Sequence, residues 1–150
     1  MKVLSLIQPW ATLMALREKK IETRNWKTEY RGTLLIHASK KVDKYICQRE
    51  PFCSVLNNHG IDSYEELESG VIIAKCNLVD CVRMAGHDIN PSTFEITNAR
   101  LSNGQIISGN ELKFGLYVPG RYAWLLEDVE PLKDPIPAKG KLRLWDYQIE

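Results

Sequence analysis

KKIETRNWKTEYRG, residues 19–32, packs three lysines, two arginines, two glutamates, a tryptophan and a tyrosine into fourteen positions. It is too polar for a core strand and too aromatic for a plain solvated loop. Extended from Ile21, its side chains alternate between two faces. Glu22, Arg24 and Trp26 then fall on one face, and Ile21, Thr23 and Asn25 on the other. An acid, a guanidinium and an indole in a row suit a flat, hydrogen-bonding ligand such as a nucleobase or nucleotide. Trp offers a stacking plane, Arg pairs with phosphate or carbonyl, and Glu accepts from an exocyclic amine. The same spacing also fits a surface strand with cross-strand charge pairs, Trp26 covering a core edge.

Upstream of this stretch, KVLSLI (residues 2–7) reads as a first strand. Pro9 suits the first turn of a helix, where its missing N–H costs nothing. Trp10, Leu13, Met14 and Arg17 recur at helical spacing, so a helix is expected over Pro9–Glu18. Arg17, Lys19 and Lys20 at its end suit a helix C-terminus. Such a helix delivers Lys19 to the mouth of the Glu22, Arg24 and Trp26 strand.

Downstream, Tyr30-Arg31-Gly32 reads as a turn and Thr33–Ala38 as an apolar strand, with His37 a core histidine. Ser39 would cap a helix bearing Val42, Tyr45, Ile46 and Arg49, ended by Pro51. A short helix is expected over Phe52–Asn57, stopping at Asn58-His59-Gly60. Ser63 and Glu66 have capping-box spacing. Val71–Val82 is the best strand in the chain, bent by a bulge. Residues 85–92 read as loop. A hairpin around Asn103-Gly104 is expected within Phe94–Ser108, in a polar segment that looks peripheral. Strands follow at Arg121–Glu127 and Leu142–Trp145, with prolines at 131, 135 and 137 keeping the intervening chain extended. Many strands, turn signals between them and a few helices toward the N-terminal half predict one α+β domain over residues 1–150, with a small closed or nearly closed β-barrel.

A net charge of +1 excludes a global basic field, so any nucleic-acid site must be a local patch. No apolar run approaches the length of a membrane span, and the N-terminus lacks a signal peptide's apolar stretch. Both point to a cytoplasmic protein, where Cys47, Cys53, Cys76 and Cys81 stay reduced. Their spacing is not that of a structural zinc site. Neither a metal motif, nor a phosphate-binding glycine loop, nor a Ser/His/Asp order is present, so no metal or cofactor is expected.

Seven ordered segments resemble the ASCH (ASC-1 homology) family, within the PUA-like superfamily. They are QPWA (8–11), KKIETRNW (19–26), YRG (30–32), LLIHA (34–38), GVIIAKCNLVDCV (70–82), FGLYVPGRYAWLLEDV (114–129) and PIPAKGKLRLW (135–145). The family signature Gly-x-Lys-x-x-Glu-x-Arg maps onto Arg17, Lys19, Glu22 and Arg24, with Arg17 standing where relatives have Gly. Arg143 is likewise unusual in a run where relatives often read QGLW. Residues 89–111 match no family segment and look like this chain's own variation.

The resemblance implies a PUA-like β-barrel with flanking helices and a cleft between the first helix and the barrel. It implies RNA or a modified nucleoside or nucleotide as partner. On that basis Gln8, Trp10, Lys19, Glu22, Arg24, Trp26, Arg31, Arg121 and Tyr122 are the candidate ligand-binding residues. Each has a plainer role: Gln8 capping backbone groups, Trp10 and Tyr122 filling core, Arg31 solvated, Arg121 pairing with Glu127 or Asp128. The alternative is a small hydrolase, either an N4-acylcytidine amidohydrolase or a ribonuclease, with Lys19 and Glu22 as the proton-transfer pair. Small hydrolytic members carry a Thr where this chain has Glu22, and Thr23 faces the other way. A protein-interaction domain without a ligand is the third reading.

Overall fold

The apolar run of residues 2–7 forms β1 (Lys2–Gln8), buried at Val3, Leu4, Leu6 and Gln8, in a computed structural model that describes residues 1–148. The chain continues as α1 (Trp10–Ala15), β2 (Ile21–Arg24), β3 (Gly32–Val42), α2 (Lys44–Cys47), α3 (Phe52–Asn58) and a 3-10 turn at Tyr64–Glu66. Then come β4 (Val71–Ile89), β5 (Ile96–Leu101), β6 (Ile106–Ile107), α4 (Gly109–Phe114), β7 (Tyr122–Pro137) and β8 (Leu144–Asp146). The α+β class expected from the sequence holds. The sheet runs β2-β7-β4-β3-β1-β8, with β5 and β6 branching from β4. That order is an open path, so the expected barrel is not closed. The chain divides into two compact units.

The first unit takes residues 1–19, 32–77 and the chain from Asp128 onward. In it β1 lies parallel to β3, from Lys2↔Leu34 to Leu6↔Ala38, and antiparallel to β8. Val3, Leu35, Ile72 and Trp145 form a buried cluster, with Leu132 and Ile136 packed against it. His37 is a satisfied core histidine, its Nδ1 2.9 Å from Ser5 Oγ and its Nε2 2.8 Å from the Ala138 carbonyl.

Helix α1 ends three residues before the expected Glu18. The Arg17 N–H donates to the Met14 carbonyl and the Glu18 N–H to that of Leu13. This is a Schellman closure, whose left-handed residue is Arg17 at φ 64°. The expected helix after Ser39 is also displaced. Strand β3 runs on to Val42, and Asp43 supplies the cap, accepting from the Ile46 N–H at 3.0 Å. Tyr45, expected on that helix, lies in the four-residue α2 and is 65% exposed. Helix α3 and the Ser63/Glu66 capping box form where expected.

The second unit takes residues 20–31 and 78–127. Ile21, Val82, Met84, Ala99, Leu101, Ile107, Tyr117 and Ala123 make its core. Two expectations are corrected here. Residues 85–89, read as loop, are the end of β4, paired with β5 through register shifts near Gly86 and Ile89. The hairpin around Asn103-Gly104 forms, but it is not peripheral, since Ala99, Leu101 and Ile107 are at most 4% exposed. Helix α4 has no sequence counterpart, because GNELKF is too short to show a period. In the first unit, Leu142 lies outside β8 and is 91% exposed.

Candidate functional site

Strand β2 is antiparallel to β7, with Glu22 opposite Trp124 and Arg24 opposite Tyr122. Directly opposed residues share a face. One face therefore carries Glu22, Arg24, Tyr122 and Trp124, and the other Ile21, Thr23, Ala123 and Leu125. The second face feeds the core through Ile21 and Ala123. The first keeps its polar pair because the two charges bond each other. Glu22 Oε2 accepts from Arg24 Nε at 3.1 Å and from Nη2 at 2.9 Å. Glu22 is 8% exposed, so leaving it without such a donor would be costly. The Trp26 indole stands edge-on to Trp124, centroids 4.7 Å apart, and its carbonyl accepts from Trp124 Nε1 at 3.4 Å. Trp124 is fully buried, while Trp26 is half-buried.

The opposite side of β2 is held from behind. Thr23 Oγ1 accepts from the Leu116 N–H at 3.1 Å, so its hydroxyl points away from Glu22. Arg121 Nη2 donates to the Thr23 carbonyl at 2.9 Å and its Nε to the Leu116 carbonyl at 3.0 Å. Burial lowers the Arg121 pKa, against the pull of Glu22 and with the push of Arg24. Its charge thus pins backbone, not Glu127 or Asp128. Glu111 Oε1 accepts from the Lys20 N–H at 2.7 Å and anchors the start of the strand.

Tyr117 is the residue that sequence reasoning missed. Its ring packs beside Gly115 and Thr23, where a Cβ on Gly115 would come within 2.7 Å of the ring. Its hydroxyl is buried with no hydrogen-bond partner among the described residues. Burial, then Glu111 and Glu22, push the phenol pKa well above its ordinary value. The only signal was its place in FGLYVPG, which reads simply as the approach to a turn.

The remaining candidates lie elsewhere. Gln8 is fully buried, and its amide ties two pieces of backbone: Nε2 donates to the Glu68 carbonyl and Oε1 accepts from the Thr12 N–H, both at 2.9 Å. That is the capping alternative. Trp10 sits edge-on to Phe52 at 5.7 Å. Lys19 closes the first unit and is fully buried, so it is not a helix-end lysine in solvent. Arg31 donates to the Thr28 and Tyr30 carbonyls and reaches Asp80 at 3.4 Å. A cleft of about 520 Å³ in the second unit is lined by Lys20, Ile21, Ile106, Glu111, Leu125 and Glu127 among others, and by neither Glu22 nor Arg24. Among the described residues no group of three or more His, Cys, Asp or Glu side chains could hold a metal ion.

The model of the ASCH domain matches residues 4–130. This chain belongs to the ASCH domain family. Activating signal cointegrator 1 from Homo sapiens and its counterpart from Mus musculus are each 30% identical over 81 residues. Those residues are 53% of this chain and 14% of either relative, so the chain spans a small part of the curated relatives it matches. ASCH domains are PUA-like, in keeping with the mixed sheet and short helices described above. Within this ASCH domain the signature residues divide: Glu22 and Arg24 form the charged pair on β2, and Lys19 is buried at the end of the other unit. No helix among the described residues is long and apolar enough to cross a membrane.

Proposed function

We propose that this ASCH domain binds RNA or a modified nucleotide on the β2–β7 face, in the cytoplasmic setting expected for its four free thiols. The observation that carries the reading is the register: a bonded carboxylate and guanidinium lie opposite two aromatic residues, with the half-buried Trp26 indole just past the strand's end. A base stacked on Trp26 would meet Arg24 at its polar edge, and Glu22 holds the guanidinium plane in place. The link of the family to RNA binding supports the same partner. The Thr23 hydroxyl, committed to Leu116 on the far side of the strand, counts against the amidohydrolase alternative.

Titration with a short single-stranded RNA, followed by tryptophan fluorescence, tests this. Trp26→Ala should weaken binding by about 1–3 kcal/mol, the usual worth of one stacked base. Arg24→Gln should weaken it similarly, and should also lower the thermal midpoint, because the buried Glu22 carboxylate loses its guanidinium donor. Binding unchanged in both variants would sink the reading. Turnover of N4-acetylcytidine by the wild type would replace it with the hydrolase.

A further inference from the structure

The chain is almost neutral, yet two of its segments are not. HASKKV (37–42) and PIPAKGKLRL (135–144) together hold Lys40, Lys41, Lys139, Lys141 and Arg143 and no carboxylate. All five are exposed. Lys40, Lys41, Lys139 and Lys141 form no ion pair among the described residues.

Backbone bonds bring the two segments together. The Gly70 N–H donates to the Ala38 carbonyl at 2.8 Å, and the Gly70 carbonyl accepts from Ala138 at 3.0 Å. The Lys40 stem lies over Gly70, with its Cε 3.4 Å from where a Cβ would stand. One step along, His37 Nε2 meets the Ala138 carbonyl at 2.8 Å. Gly140 is pressed so close to His37 that a Cβ there would lie 2.8 Å from the ring. Trp145 Nε1 donates to Ser5 Oγ and locks the far end of the loop. The cations are therefore carried on a loop seated on buried, hydrogen-bonded groups, not on a free tail.

We propose that the 138–143 loop and the end of β3 form a phosphate-contact surface for the backbone of a single-stranded nucleic acid. Clustered lysines without internal partners supply the sequence-independent part of such binding. A membrane fits less well. Leu142 is the single exposed large apolar side chain on the loop, whereas a stable lipid anchor needs more buried apolar area or a second signal. The proposal rests on the RNA-binding reading but is scored by a different quantity, the salt dependence.

The test compares wild type with Lys139→Gln/Lys141→Gln, with Lys40→Gln/Lys41→Gln, and with Lys113→Gln, in the second unit, as a control. Binding to a fluorescein-labelled oligouridylate is measured between 50 and 200 mM salt. Each phosphate contact contributes about −0.7 to the slope of log K against log salt. Loss of the two loop lysines should flatten the slope by about 1.4, and loss of the strand pair by the same amount. The control should leave it unchanged, and thermal midpoints should not move. A wild-type slope in both multiple variants, with binding still lost in Trp26→Ala, overturns this surface and leaves the β2–β7 face standing. No RNA binding by the wild type at 50 mM salt overturns both. Binding to phosphatidylserine vesicles that the loop variant loses, with RNA binding intact, overturns the surface in favour of a lipid.

Discussion

Arg17 shows how one residue can break a local rule and keep its place. The resemblance puts glycine here, and the structure shows why: this is the left-handed residue of the closure that ends α1. Arginine takes the same conformation and in exchange donates Nε to the Val129 carbonyl at 2.8 Å. Removing the side chain separates the two effects. Arg17→Ala and Arg17→Gly both lose the Val129 bond, and only glycine relieves the left-handed strain. The glycine variant should be the more stable of the two by about 1 kcal/mol in urea denaturation. Equal stability would mean that the turn costs arginine nothing. Gln8 teaches a related lesson. A glutamine before a helix reads equally well as a base reader or a cap, and only its burial and two backbone partners decide.

At the scale of elements, legibility followed the strength of the local pattern. KVLSLI and VIIAKCNLVDCV are dense in β-formers, and both are strands. The alternation of Glu22 and Arg24 against Ile21 and Thr23 holds in detail, because β2 is regular and paired. Failures came where tertiary contacts outweigh composition. ARLSNGQII is polar on average, yet Ala99, Leu101 and Ile107 point into the core from either side of the exposed turn, and a mean hides such a pattern. Asp43 capped the helix assigned to Ser39 because pairing with β1, through Gln8↔Val42, carries β3 past the serine. The buried hairpin makes a direct contrast. Leu101→Ala should cost about 2–4 kcal/mol as a core truncation, while Ile106→Ala, 59% exposed in the partner strand, should stay within about 0.5 kcal/mol. Similar small losses for both would return the hairpin to the periphery.

Each unit buries a weak acid whose ionisation opposes folding at high pH. In the first unit Cys76 is 2% exposed, its thiol 3.4 Å from the Leu34 carbonyl, and burial pushes its pKa from 9.0 up to about 12. In the second, burial pushes the Tyr117 phenol up in the same direction. Both groups are neutral acids in the fold, and both ionise more readily once the chain unfolds. Below pH 9 neither state loses the thiol proton, so the thiol's contribution is fully present. As pH rises from 9 toward 12 the unfolded chain releases that proton while the folded one holds it, and stability falls. The limiting slope for one proton is about 1.4 kcal/mol per pH unit. Urea denaturation between pH 8 and 11 should show this decline in the wild type, and Cys76→Ala should make it shallower despite a lower starting stability. Tyr117→Phe should do the same with little loss at neutral pH, because it removes a buried hydroxyl that has no protein partner among the described residues. A decline of equal steepness in all three proteins would show that neither group stays protonated in the fold as its burial requires.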